Sequence, residues 1–396
     1  MYDVIVVGAR CAGSPTAMLL ARAGYSVLLL EKARFPQDKL SSHYIHQPGV
    51  ALLARWGLKE RVAATNCPPL THVSYQTADV RLDGCSLAAD GERAAYAPRR
   101  WALDPVLADG AVAAGAELRE GCTVTGLVRE GDRVAGVTYK TAEGGEFTER
   151  ARLVVGADGM RSAVARFTGA PKVIEQPRMT CTYYSYWEDL PAHFELYERP
   201  ERWIGVIPTN DARTLVMTYF PQADFQRVRH DAQAHYLDAV KTTVPELYER
   251  MAAARQAEQL YGTGEQYNYF RQAWGPGWVL VGDALHHKDS IAARGITDAF
   301  IQSQLLADRV GEDLRDPAAL DAALRRYARD VDDKFTDFFR STLNVAELQV
   351  PESRLSLLRA ISGNQALTDR YFATLSGACS IDDFYNAELL ETLANV

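Results

Sequence analysis

The first 32 residues constrain the fold more than any other stretch. Val4, Ile5, Val6 and Val7 form an unbroken apolar run, as in a parallel-sheet strand buried on both faces. A turn follows at once, Gly8-Ala9-Arg10-Cys11-Ala12-Gly13, then a helix expected over Pro15 to Ala23 and a second strand from Ser26 to Leu30, ending at Glu31. This is a βαβ unit for holding a dinucleotide. In the Gly-x-Gly-x-x-Gly fingerprint the first glycine makes the turn, the second admits a pyrophosphate to bare backbone, and the third lets helix pack on strand. Gly8 and Gly13 fill the outer positions, while Arg10 replaces the middle one. Two readings of Arg10 stay open: a charge-assisted donor lying across the diphosphate, or a side chain turned to solvent. Cys11, Ala12 and Gly13 lead into the helix, whose unfilled amides favour an anion. Glu31, about 20 residues past the first glycine, is placed to accept the two ribose hydroxyls, with Lys32 beside it in the expected binding set. Its charge disfavours a 2′-phosphate, so FAD or NAD is expected before NADP.

The chain has 396 residues, more than one hydrophobic core usually spans, so two lobes are expected. A formal net charge of −8 argues against a nucleic-acid partner. Six cysteines without regular spacing read as reduced thiols. No apolar run approaches the roughly 18 residues of a membrane helix, and strand pattern begins at residue 2, so a cytoplasmic protein without a signal peptide is expected.

Two later segments repeat the strand-to-glycine-turn pattern. Arg152-Leu-Val-Val-Gly156 runs into Ala157-Asp158-Gly159 and a short helix through Arg166. Gly277-Trp-Val-Leu-Val-Gly282-Asp283 is followed by His286, His287, Lys288 and Asp289, then by Gly295 and Ile296 opening a helix to about Val310. Strand ends of this kind line cofactor crevices. Asp283 is placed to accept a ribityl hydroxyl, and amides near Gly295 to face developing negative charge.

In these three motifs, over residues 1 to about 340, the chain resembles the single-component FAD-dependent monooxygenases built like 4-hydroxybenzoate hydroxylase, with their relatives the geranylgeranyl reductases and flavin-dependent halogenases. The resemblance implies FAD as cofactor, NADH or NADPH as transient electron donor, O2 as co-substrate and oxygen transfer through a flavin C4a-hydroperoxide. It assigns Asp158-Gly159 and Gly282-Asp283 to the FAD site. It also assigns Arg100, in Arg100-Trp-Ala-Leu103-Asp104, to holding the cofactor. The implied fold is α/β: a Rossmann-like FAD-binding domain with an interleaved antiparallel-sheet substrate domain and C-terminal helices. The expected boundaries are 1–70, 99–170 and 271–316 for the first, 71–98 and 171–270 for the second, and 317–396 for the helices. No second strand-glycine-helix unit follows, so no separate nicotinamide domain is expected, a pattern equally compatible with a partner flavin reductase.

Several positions depart from that family. Asp289-Ser290 stand where it has a proline pair, and Ala293 replaces the first glycine of its Gly-x-Gly. Relatives of unassigned activity carry a similar His-Lys-Asp-Pro run, broken here by Ser290. Trp203-Ile-Gly-Val-Ile-Pro208 resembles the halogenase Trp-x-Trp-x-Ile-Pro but has Gly205 at the second Trp, and Lys39 lies too near the nucleotide unit to match the halogenase lysine.

Strand periodicity over His72–Leu82, Met179–Trp187, Phe194–Glu198, Trp203–Pro208 and Thr214–Phe220 predicts an antiparallel sheet. Tyr183, Tyr184, Tyr186, Trp187, Tyr219, Phe220, Tyr267, Tyr269 and Phe270 are candidate walls for an aromatic or apolar small molecule; each alone is as well explained as sheet core. The catalytic candidates are His43, from Lys39-Leu-Ser-Ser-His43-Tyr-Ile-His46, and His287; either would take or give a proton near neutral pH. His193, His230 and His235 stand outside any motif, and no cluster shows metal-ligand spacing. From Pro317 onward the pattern is helical, and the tail Phe384 to Val396 suits a pocket cap or a dimer contact. The reading is therefore an FAD-dependent monooxygenase hydroxylating or epoxidising an aromatic or polycyclic molecule. The alternatives are a double-bond reductase, a halogenase and a non-catalytic flavin-binding protein, the last predicting a pocket filled by side chains.

Overall fold

A computed structural model describes residues 1–311 and 313–394. The apolar run at the N-terminus is the central strand Tyr2–Val7, flanked in parallel by Val27–Glu31 and by the second half of Glu146–Gly156. Glu117–Glu120 and Trp278–Leu280 extend this sheet in parallel on either side. Strands covered on both faces need continuous apolar sequence, and Val4, Ile5, Leu28, Leu29, Val154 and Val155 are all fully buried. The first half of Glu146–Gly156 leaves this sheet to pair with an antiparallel hairpin, Cys122–Glu130 and Arg133–Thr141, which the strand-pattern reading did not anticipate.

A second sheet runs in the order Arg255–Gln256, Thr180–Glu188, Thr214–Pro221, Arg202–Pro208, Phe194–Arg199, Val73–Thr77, Val80–Gly84. It is antiparallel except for one pair: Phe194–Arg199 runs parallel to Val73–Thr77. The chain makes a long excursion through the first sheet between those two strands, so no tight turn fixes their relative direction. The expected single strand His72–Leu82 is a hairpin, turned at Ala78 and Asp79.

Period-2 alternation divides the aromatic residues between the two faces of this sheet. Tyr183, Trp187 and Phe220 point away from the first sheet, into a core made with the helices Phe225–His230, Ala232–Thr243 and Pro245–Ala253. Tyr184, Tyr186 and Tyr219 occupy the inner face.

The two sheets are bridged by a 30-residue helix, Pro317–Ala346, about 45 Å long at 1.5 Å per residue. Leu320, Leu324, Tyr327, Val331, Phe335 and Phe339 recur at helical spacing and pack into the first core, while Ala346 reaches the second. Helices Glu352–Ser362 and Gln365–Ser376 then cover the outer hairpin of the second sheet. Within the tail, Phe384 and Leu389 are buried in that second core, and Asn395 and Val396 lie outside the described residues. All six cysteines are free thiols. Among the described residues no helix is long and apolar enough to cross a membrane.

Candidate active site

Two cavities meet between the sheets. The larger, about 750 Å³, runs along the carboxyl ends of the parallel strands, where ligands of such sheets bind. Gly8, Arg10, Cys11, Ala12, Glu31, Lys32, Arg100, Asp158, Gly159, Gly282, Asp283, Gly295 and Ile296 all stand in its wall. Gly13 does not: a Cβ there would fall 1.7 Å from the Gly8 carbonyl oxygen. Its lack of a side chain lets the helix start pack onto the turn. Gly8 itself has φ +98°, a region closed to most side chains.

Each acidic group in the wall is held differently. Glu31 accepts the Ala9 amide at 2.9 Å and the Ala33 amide at 3.0 Å, so its carboxylate is oriented by backbone. Asp158 caps the helix Ala163–Thr168: its oxygens accept Ser162 Oγ at 2.5 Å and the amides of Ala163 and Val164 at 2.6 and 3.2 Å. Burial pushes its carboxyl up, and those hydrogen bonds oppose the rise. Asp104, fully buried, pairs with Arg10 and through both oxygens with Arg100. Arg10 is not turned to solvent, and the diphosphate reading of it stays open. It is salt-bridged to Asp104 at 2.6 Å, lies 3.8 Å from Glu31, and still leaves Nη2 buried without a partner.

The second cavity, about 380 Å³, is mainly apolar. Tyr44, Phe194, Leu196, Trp203 and Met217 form its sheet side, and Phe338, Thr342, Phe372, Leu375 and Ile381 of the C-terminal helices form the other. Of the expected wall aromatics, Tyr184 and Tyr219 line the first cavity; Tyr183, Trp187 and Phe220 face the opposite side of the sheet. Met217, Ala293 and Arg294 belong to both cavities and form their common wall. Ala293, standing where a glycine was expected from the resemblance, has φ +51°, a strained conformation for a residue with a Cβ.

Beside that wall lies a buried ionic group. Lys288 pairs with Asp298, and Arg294 Nη2 lies 3.2 Å from the same carboxylate. Burial alone would push the Asp298 carboxyl up; the two cations outweigh it and hold it at about 2. Arg294 also covers the Phe338 ring at 3.7 Å and donates to the Leu375 carbonyl. Next to it, Asp289 accepts Thr180 Oγ1 at 2.7 Å and the Ile291 amide at 3.1 Å, yet burial still pushes its carboxyl up to about 6.

The two candidate catalytic histidines are not brought together. His287 lines the larger cavity. Its Nδ1–H donates to the Tyr267 carbonyl, which leaves Nε2 as the ring's proton acceptor. His43 lines neither cavity. It is fully buried, its Nε2 is 2.5 Å from the Tyr186 hydroxyl, and burial followed by Arg99 and Arg100 puts its pKa well below the ordinary value. Arg99 stacks over Tyr186 at 3.8 Å and pairs with Asp38 and Glu258.

Residues 1–334 match the FAD binding domain family. The chain belongs to that family of FAD-dependent oxidoreductases. It is 27% identical over 364 residues to digeranylgeranylglycerophospholipid reductase 1 of Methanopyrus kandleri, covering 89% of this chain and 91% of that one. In fold it is similar to a triple mutant of the flavin-dependent brominase Bmp2, with a TM-score of 0.81, 20% identity, and coverage of 100% of this chain and 98% of the other. It also resembles pqsL of Pseudomonas aeruginosa, described as a probable FAD-dependent monooxygenase, with a TM-score of 0.72, 19% identity, and coverage of 94% and 99%.

The walls of the larger cavity suit FAD. Four cations, Arg10, Lys32, Lys39 and Arg100, stand in one wall, and the Lys39 ammonium is lowered by burial and then by Arg10 and Lys32. An anionic diphosphate would relieve that crowding and give the unpartnered Arg10 Nη2 an acceptor. Sequence reasoning gave no role to Asp104, Lys288 or Arg294. Two of their ion pairs had a legible signal, the i,i+4 spacings Arg100/Asp104 and Arg294/Asp298. The Lys288–Asp298 pair spans a turn and carries no such periodicity.

Proposed function

We propose that this flavoprotein is a monooxygenase that takes an apolar, partly aromatic small molecule in the 380 Å³ cavity, with NADH or NADPH as electron donor and O2 as co-substrate. The observation that carries the reading is the common wall of Met217, Ala293 and Arg294, which sets an apolar chamber against the larger cavity whose walls suit FAD. FAD, when bound and reduced, supplies the electrons that activate oxygen. The chain's part is to bind, orient and keep water out.

Glu31 would accept the ribose hydroxyls, Arg10 and Arg100 would meet the diphosphate, and Asp283 a ribityl hydroxyl. Asp158 would act as a positioning residue, its carboxylate already engaged in holding the turn at Gly159. His287 Nε2 would take the proton released when a phenol or amine is activated. His43 would position Tyr186 from behind rather than touch a ligand.

The likeness to the Methanopyrus reductase favours a second reading, reduction of a double bond in a long apolar molecule. One experiment separates the two. Purified protein with FAD is reduced anaerobically by NADH or NADPH and then exposed to O2 in the presence of aromatic and polyprenyl test compounds. Incorporation of labelled oxygen into product is expected; a saturated product formed without O2 would sink the monooxygenase reading.

A further inference from the structure

Away from the larger cavity, the second sheet brings together two groups of one hairpin and a third from a distant part of the chain. Strands Phe194–Arg199 and Val73–Thr77 run parallel with Phe194 opposite Val73. The residue before each, His193 and His72, therefore stand side by side, with ring centroids 4.7 Å apart. Val80–Gly84 pairs on the other side with Asp83 opposite Ser74, which carries the Asp83 carboxylate to 3.6 Å from His72 Nε2. One ligand atom from each of His72, Asp83 and His193 lies within 4.8 Å of the other two.

The surroundings are those of an oriented ligand set. His193 Nε2 lies 3.0 Å from Ser74 Oγ and Nδ1 lies 3.6 Å from Glu195 Oε1. Whichever ring nitrogen binds an ion, the other keeps a partner that fixes the ring. Asp83 is gripped by Arg81 at 2.7 and 3.0 Å. A carboxylate has about four lone-pair sites, so one oxygen can stay with Arg81 while another lone pair binds a cation. Glu195 is itself committed to Arg250 and Tyr197, and serves as an outer partner.

We propose that His72, Asp83 and His193 bind one divalent transition-metal ion of the zinc class, with the fourth tetrahedral position left to water or a ligand. Two imidazoles and one carboxylate suit zinc, and offer too few oxygens for calcium or magnesium. Asp83 sits on a strand and the two histidines immediately precede two others, so the sheet fixes the backbone from which all three ligands project, and small side-chain rotations would close them on an ion. His72 also lines the apolar cavity, so the ion would stand at that cavity's edge. The proposal does not depend on the monooxygenase reading.

The test uses the full chain with FAD, stripped with a chelator and titrated calorimetrically near neutral pH with Zn²⁺, then with Mg²⁺. His72→Ala, His193→Ala and Asp83→Asn are titrated alongside, with circular dichroism reporting that each is folded. One equivalent of Zn²⁺ is expected, weakened more than about tenfold by each substitution, with no Mg²⁺ binding. Absence of saturable Zn²⁺ binding, or binding that persists undiminished in the folded variants, would overturn the proposal.

Discussion

Arg10 Nη1 donates to Asp104 Oδ2 at 2.6 Å, inside the glycine turn whose middle position the arginine occupies. Asp104 is also shared with Arg100, so one buried carboxylate organises two guanidinium groups. The pair leaves a net positive charge in the wall, with Arg10 Nη2 still free to donate.

Arg10→Gly is therefore expected to weaken FAD binding by about tenfold, equivalent to about 1.4 kcal/mol, without unfolding the protein, because Asp104 keeps Arg100. Fluorescence titration of the apoprotein with FAD measures it. An unchanged dissociation constant would show that Arg10 serves only Asp104.

Gly205 lies where an added Cβ would meet Met217 Cε at 3.0 Å, beside the wall between the cavities. Gly205→Trp would fill the apolar chamber, at a cost of about 1–3 kcal/mol for overpacking. Binding of an apolar fluorescent dye is expected to fall sharply, while the visible spectrum of bound flavin stays the same.

Asp289 gives a pH prediction. Its folded pKa, about 6, lies above the ordinary 3.8, so burial opposes its ionised form. The cost is absent below about pH 4, where the carboxyl is neutral in both states, and grows to about 3 kcal/mol as pH rises through 6. Asp289→Asn should remove that slope: chemical denaturation at a series of pH values should show the variant gaining on the parent between pH 4 and 7. Parallel curves would contradict it.

Asp298→Asn would leave the buried Lys288 and Arg294 without their counter-charge, and a loss of about 3–5 kcal/mol is expected from the urea midpoint. Replacing Lys288 by Met in the same chain should recover part of it, because the uncompensated charge is what costs.

Much of the wall of the larger cavity was legible because it is built from local signals: apolar runs, glycines at turns, an acid at a strand end. The βαβ unit, the turn at Asp158 and the helix from Gly295 each announce themselves within a stretch no longer than the Tyr2–Glu31 unit. The apolar chamber was not legible in that way. Its aromatic candidates were crowded on adjacent positions, and alternation sent Tyr183 and Trp187 to one face and Tyr184 and Tyr186 to the other. Its far wall comes from helices more than a hundred residues further on, whose periodicity shows an apolar face without showing what that face covers. The grouping of His72 with His193 depends on a parallel strand pair that no turn or repeat in the sequence specifies.

The family match stops at residue 334, whereas Phe338, Thr342, Phe372, Leu375 and Ile381 come after it. The family-matched stretch and the helices that form the far wall of the apolar cavity are thus consecutive rather than interwoven at this end of the chain. A graft of the terminal helices would exchange much of that far wall in a single crossover, provided Phe338 and Leu375, which hold Arg294 at the common wall, are retained. With those two contacts kept, the lining of the apolar cavity can change while the walls of its larger neighbour stay as they are.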